Sequence, residues 1–137
     1  MPSPFYFARV IDAPFDRMLP IVDFPTPGWE LSEGDPRAIG ATRSCDHPHA
    51  GPLVDKLLAY DSGDDRFCMT YGIVNDDNRM GARGYEGTMT LLRDTQNPER
   101  CFYTYEASWS SLGVPVDALR QMMIGAVADM EKAARAT

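Results

Sequence analysis

The chain has no basic cluster, no CxxC pair and no long apolar run, and each absence removes a class of function. Thirteen Lys and Arg stand against twenty Asp and Glu, for a net charge of −7. No basic residues interleave with the aromatics, so the cationic footprint of a nucleic-acid binder is missing. The same deficit argues against docking on anionic membranes. No apolar segment approaches the roughly 20 residues that cross a bilayer, and residues 1–12 lack the pattern of a signal peptide. Three cysteines, Cys45, Cys68 and Cys101, are odd in number and read as reduced thiols of a cytoplasmic protein. His47 and His49 form a His-x-His pair with no third ligand placed by the sequence, so they read as surface loop histidines and no metal is expected. Asp76-Asp77-Asn78 lacks the spacing of a calcium loop.

What the chain does have is alternation. Its 137 residues, 44% hydrophobic and 24% charged, fit one globular domain over residues 1–137 that can bury a core. Three runs between Arg66 and Trp109 alternate apolar and polar residues, and a period of two puts each set on one face of a strand. The apolar sets are Phe67, Met69, Tyr71 and Ile73; Tyr85, Gly87, Met89 and Leu91; and Tyr103, Tyr105, Ala107 and Trp109. Buried phenols want hydrogen-bond partners, so a face this rich in tyrosine suits a site better than a plain core. Trp109 is expected to pack on the last helix.

Other elements follow from local chemistry. Phe5–Ile11 reads as the first strand. Residues 13–22 open a helical stretch with Pro14 at its start and Phe15, Met18, Leu19 and Val22 on one face. Pro20 breaks or kinks it, and Pro25 and Pro27 end it, which predicts two short helices. Residues 29–33 read as an edge strand, and 39–45 and 53–60 as a pair joined by a flap over 46–52. Turns follow at 61–65 and 94–99, with a polar loop at 75–84. Residues 115–135 form one strong helix, with Leu119, Met122, Met123, Ala126, Val127, Met130 and Ala134 at helical spacing. Its length of about 31 Å matches the roughly 30 Å of the strand at 101–109. The economical architecture is α+β: a curved seven-stranded antiparallel sheet gripping the C-terminal helix, with two short helices after the first strand.

A hairpin centred near His49 makes Arg43 and Asp55 cross-strand neighbours, with Cys45 opposite Leu53 and Ala41 opposite Leu57. Leu57 and Ala59 share a face with Asp55, which turns the charged pair inward. Inward charges are costly unless paired. The pair reads either as a polar anchor or acid–base element, or as an ion pair that fixes sheet register.

The order of elements and several phrases resemble the START/Bet v 1-like (SRPBCC, helix-grip) superfamily. Ala13-Pro14-Phe15-Asp16 is similar to its opening of the first helix, and Asp23-Phe24-Pro25 through Trp29 to its linker. Gly40-Ala41-Thr42-Arg43, Asp55-Lys56-Leu57 with Tyr60-Asp61, and Tyr85-Glu86-Gly87-Thr88 are similar to three of its strands. Within the superfamily the phrases most resemble bacterial polyketide cyclase/dehydrase-like proteins, with an echo of the plant abscisic-acid receptors. The resemblance implies a cavity between sheet and helix for a hydrophobic small molecule such as a polyketide or lipid.

It also implies roles. Arg43, Asp55 and Tyr85 are the candidate catalytic groups: Arg43 and a tyrosine would stabilise an enolate while Asp55 moves the proton, with no cofactor. Phe67, Met69, Tyr71, Ile73, Met89, Tyr103 and Tyr105 from the strands, with Met123 and Val127 from the helix, are the candidate ligand contacts. Arg79 matches a residue at the cavity mouth. The partner expected is the hydrophobic ligand, with neither nucleic acid nor membrane, and a homodimer is left open. A non-catalytic carrier using the same groups as anchors is the alternative function, and a pocket filled by its own side chains is a third.

Overall fold

Alternation becomes a sheet because each strand has a partner whose apolar face matches its own. The computed structural model describes residues 4–48 and 50–136. Its elements are β1 (Phe5–Ile11), α1 (Phe15–Val22), β2 (Glu30–Glu33), β3 (Thr42–His47), β4 (Gly51–Ser62), β5 (Arg66–Ile73), β6 (Glu86–Arg93), β7 (Cys101–Ser108) and α2 (Val116–Arg135). The seven strands form one antiparallel sheet in the order β1-β7-β6-β5-β4-β3-β2. This is the α+β helix-grip arrangement expected, with α2 as the long C-terminal helix. No helix among the described residues is long and apolar enough to cross a membrane.

Pleating puts the predicted apolar sets on the inner face. Phe67, Met69, Tyr85, Met89, Leu91, Tyr103, Tyr105 and Ala107 are all buried. The helix α2 begins after Pro115, carries Asp117 in its first turn and Lys132 and Arg135 in its last, as the helix dipole favours. Its carboxylate Glu131 accepts from Arg9 Nη2 and from the Asp12 backbone N–H, both at 2.6 Å, and so fastens the helix to the end of β1. Arg93 pairs with Asp16 and Asp65 and lies over the Phe15 ring, which ties α1 to β6.

Three expectations need correction. One short helix follows β1, not two: α1 runs through Pro20 to Val22, losing a single backbone bond there. Beyond it Pro25 and Pro27 have no N–H to offer, and Thr26 and Gly28 take positive φ of 80° and 89°, which excludes a second helix. The flap over 46–52 is instead a tight hairpin. Asp46 pairs with Pro52 and His47 with Gly51, leaving residues 48–50 to turn, of which His49 lies outside the described residues. Ala59 faces out rather than in, because the ladder slips between Leu57 and Ala59 and a bulge flips the strand's later residues. Trp109 stacks on the Tyr85 ring, with centroids 6.1 Å apart and planes 7° from parallel.

Gly125 sits inside α2, is exposed, and a Cβ there would meet nothing within 4 Å. A helical glycine of this kind forfeits backbone entropy for no packing reason. Gly125→Ala is expected to stabilise the fold by about 0.5–1 kcal/mol, read as a higher urea midpoint with an unchanged slope; a lower midpoint would mean that the helix needs its glycine.

Candidate functional site: a cavity between sheet and helix

Arg43 and Asp55 stand opposite each other on β3 and β4, with Cys45 opposite Leu53, so the inferred register is the one adopted. Both are buried, at 4% and 1% exposure. Arg43 donates from Nε and Nη2 to the same carboxylate oxygen, Asp55 Oδ2, at 3.1 and 3.0 Å. Its Nη1 donates to the Pro25 carbonyl at 3.1 Å and to Thr26 Oγ1 at 2.6 Å. The guanidinium lies 4.2 Å from the Trp29 ring centroid, with Phe24 and Tyr71 about it at 5.0 and 5.1 Å. It therefore clamps the whole segment after α1 onto the sheet, including the strained Thr26.

Because both bonds to Asp55 end on Oδ2, its Oδ1 has no hydrogen-bond partner among the described residues. Burial pushes the Asp55 carboxyl up to about 6, against the opposing pull of Arg43. Desolvation wins because two charges taken out of water recover only part of their hydration from each other.

The tyrosines form a small network. Tyr71 and Tyr85 each reach the Tyr105 hydroxyl, both at 2.6 Å. Room for that hydroxyl exists because position 87 is glycine, where any Cβ would collide with it. Two hydrogen bonds among three hydroxyls consume two of their three hydrogens, so one phenolic hydrogen is left to donate. Tyr103 is fully buried, packs edge-on against Phe7, and its hydroxyl has no hydrogen-bond partner among the described residues. Burial raises Tyr71, Tyr103 and Tyr105 above the ordinary phenol and pushes Tyr85 up to about 12. All four are donors at neutral pH and none is a base.

These groups meet in a cavity of about 140 Å³ between the sheet and α2. Its polar lining is Arg43, His47, Asp55, Tyr71, Tyr85, Tyr103 and Tyr105. Its apolar lining includes Trp29, Leu53, Ile73 and Leu119 and five methionines, Met80, Met89, Met122, Met123 and Met130. Thioethers repack at low cost, so the walls are adaptable. Among the described residues no three His, Cys, Asp or Glu side chains stand close enough to share a metal ion.

Of the residues picked from sequence, Arg43, Asp55, Tyr71, Ile73, Tyr85, Met89, Tyr103, Tyr105 and Met123 converge on this cavity. Phe67, Met69 and Val127 do not: they are wholly buried in closed core outside its lining, Phe67 against the Tyr60 ring. Arg79 is exposed and lies outside the cavity lining, in an adjoining groove with Val114, Ala118 and Gln121 that shares Met80 and Met122 with the cavity. His47, read as a surface loop residue, is half-buried at the end of β3 and lines the cavity, its Nδ1 accepting the Ala50 N–H at 3.1 Å. The signal was present, since Arg43, Cys45 and His47 share one period-two register. Met80 enters from the 75–84 loop, which buried Asn78 braces through bonds to Asn75 and Ala82; no sequence pattern marks it.

No protein-family model matches the chain, and no curated protein matches it in sequence. Solved structures do. The protein XoxI from Bacillus cereus superposes with a TM-score of 0.68 at 17% identity, over 98% of this chain and 93% of that one. Norcoclaurine synthase from Thalictrum flavum, a point mutant in complex with a transition-state analogue, gives 0.59 at 13% identity over 95% and 92%. Ara h 8.0201 gives 0.59 at 12% over the same shares. At these identities what is shared is the fold, and it is the Bet v 1-like helix grip.

The raised pKa of Asp55 affects stability with a definite sign. The folded chain holds this proton up to about pH 6, the unfolded chain only to about 3.8, so ionising Asp55 costs stability as pH rises through that window. Asn at position 55 stays neutral and keeps an acceptor for Arg43. Asp55→Asn is thus expected to gain on the wild type between pH 4 and pH 7, by at most about 3 kcal/mol, in denaturation midpoints; a wild type that gains instead would show Arg43 outweighing burial. Arg43→Ala at pH 7 leaves the carboxylate unpaired and frees the Pro25–Thr26 turn, for an expected loss of about 3 kcal/mol or more.

Proposed function

We propose that this chain, a helix grip, binds a hydrophobic small molecule between sheet and α2 and moves a proton on it with Asp55. The reaction type is that of a cofactor-independent cyclase or dehydratase. The observation that carries the reading is the unpaired Oδ1 of a buried carboxyl that titrates near 6, set among phenols and thioethers. A general base with that acidity is largely ionised at neutral pH, and its basicity suits a proton beside a carbonyl.

The steps follow from the groups present. Asp55 Oδ1 accepts a proton from the carbon next to the ligand's carbonyl, the C–H electron pair moves into the enolate, and a phenolic O–H donates to the developing oxyanion. Return of the proton to a different atom gives isomerisation; collapse of the enolate with cleavage of the β-C–O bond, the hydroxyl taking the proton back from Asp55 and leaving as water, gives dehydration. Arg43 acts at one remove. Its hydrogen bonds go to Asp55, Pro25 and Thr26, so it aims the carboxyl and restrains its pKa instead of touching the enolate. The transition-state analogue held by norcoclaurine synthase supports the fold's fitness for catalysis by analogy only.

A carrier is the second reading, favoured by the salt bridge that keeps Asp55 tied to Arg43 at 3.0 Å and by the five adaptable methionines. Cyclohexanone in D₂O separates the two. The enzyme reading expects protein-dependent exchange at the α-carbons that rises with pH through about 6 and falls on the order of 100-fold in Asp55→Asn. Ligand retained in native mass spectra, with no exchange above buffer for any ketone, would leave the carrier.

A further inference from the structure

Resting on the ligand-binding part of that reading, with Asp55 serving as an anchor as in the carrier alternative, the geometry points to the class of molecule the cavity takes: we propose a neutral, single-ring compound with a carbonyl acceptor at one end and a hydrogen-bond donor at the other. The Tyr103 hydroxyl would hold the carbonyl and Asp55 Oδ1 the donor.

The argument starts from what the protein leaves unpaired. Asp55 Oδ1 and the Tyr103 hydroxyl are buried, line the same cavity and have no partner among the described residues. Leaving such a group unmet is costly, so its natural complement is a ligand group. The two differ in kind. An ionised carboxylate oxygen only accepts, whereas Tyr103 and the spare hydrogen of the Tyr71–Tyr105–Tyr85 set donate. One acceptor facing two donors calls for a ligand with one X–H and one oxygen bearing two lone pairs.

Position sets where these groups lie on the ligand. Asp55 is on β4 and Tyr103 on β7, with β5 and β6 between, and the two also stand at different heights: Tyr103 is level with Leu91, Phe67 and Ser62, while Lys56 beside Asp55 is level with Gly72, Glu86 and Ser108. A donor and acceptor on adjacent atoms would reach only one of them. Size limits what stands between: an apolar protein cavity of about 150 Å³ holds one benzene, and this one is about 140 Å³. Ile73, Met89, Leu119 and Met123 supply the walls, and thioethers pack well on an aromatic ring.

Charge decides the rest. The charge of Arg43 is already met by Asp55, and four of its five N–H donors go to Asp55, Pro25 and Thr26, so a ligand carboxylate would find little free cation and would face Asp55 across a poorly screened space. His47, half-buried at the rim, accepts a backbone N–H on Nδ1.

The test is a square of four ring compounds, toluene, p-cresol, benzaldehyde and p-hydroxybenzaldehyde, with p-hydroxybenzoate as the anion, measured by calorimetry at pH 6.5. The p-hydroxybenzaldehyde is expected to bind about 10-fold tighter than either singly substituted ring and at least 10-fold tighter than p-hydroxybenzoate. Tyr103→Phe is isosteric and removes a hydroxyl with no protein partner, so the free protein should melt no lower than wild type. That variant should lose about 10-fold for the two aldehydes and nothing for toluene or p-cresol. Equal affinity across the square, unchanged aldehyde binding in Tyr103→Phe, or tight binding of the benzoate would overturn the proposed class while leaving a ligand-binding cavity in place. Failure of all five to bind also overturns it; if native spectra then show an empty chain, the broader ligand-binding reading falls with it.

Discussion

The buried contact between Arg43 and Asp55 is the constraint on which the remaining architecture rests. One guanidinium holds β3 to β4, pins the turn after α1 through Pro25 and Thr26, and stacks under Trp29. Buried ion pairs add little net stability compared with a well-packed apolar replacement, and their worth lies in admitting one arrangement only. Here a slip of β3 by one residue would strand an unpaired charge in the core, so the pair selects the register and, with it, which side chains face α2.

The same contact produces the chemistry. Both of Arg43's bonds to Asp55 fall on one oxygen, leaving the other facing groups that cannot neutralise it. Burial raises the carboxyl's affinity for its proton and Arg43 lowers it, and the balance lies near 6. Around this group the phenols are held firmly. Gly87 exists as a gap for the Tyr105 hydroxyl, and Tyr71 and Tyr85 converge on it from neighbouring strands, which fixes three rings at once. A rigid polar floor faces a pliable ceiling of methionines on α2. That division suits recognition in which orientation is set by hydrogen bonds and shape by repacking.

Sharing a fold at 12–17% identity with XoxI, norcoclaurine synthase and Ara h 8.0201 establishes a common scaffold and nothing about a ligand. The scaffold supplies a sheet, a helix and a space between them. What distinguishes this chain is the set of groups projected into that space, and those are local substitutions that the fold tolerates readily.

Much of the scaffold was legible in the residues alone. Period-two alternation assigned the inner faces of β5, β6 and β7, and matched apolar positions set the Arg43–Asp55 register. Proline and charge placement delimited α2. These features are local or pairwise, and short-range sterics together with apolar burial decide them. Depth within the inner face was not legible. Phe67 and Met69 share a register with Tyr71, yet they lie in closed core while Tyr71 borders the cavity, because that difference depends on how close α1 and α2 approach each stretch of sheet. The bulge after Leu57, the tight turn that brings His47 inward, the entry of Met80 and the division of Arg43's bonds between Asp55 and a turn 17–18 residues earlier are of the same kind. Each depends on contacts between segments distant in the chain, and only the folded structure brings those segments together.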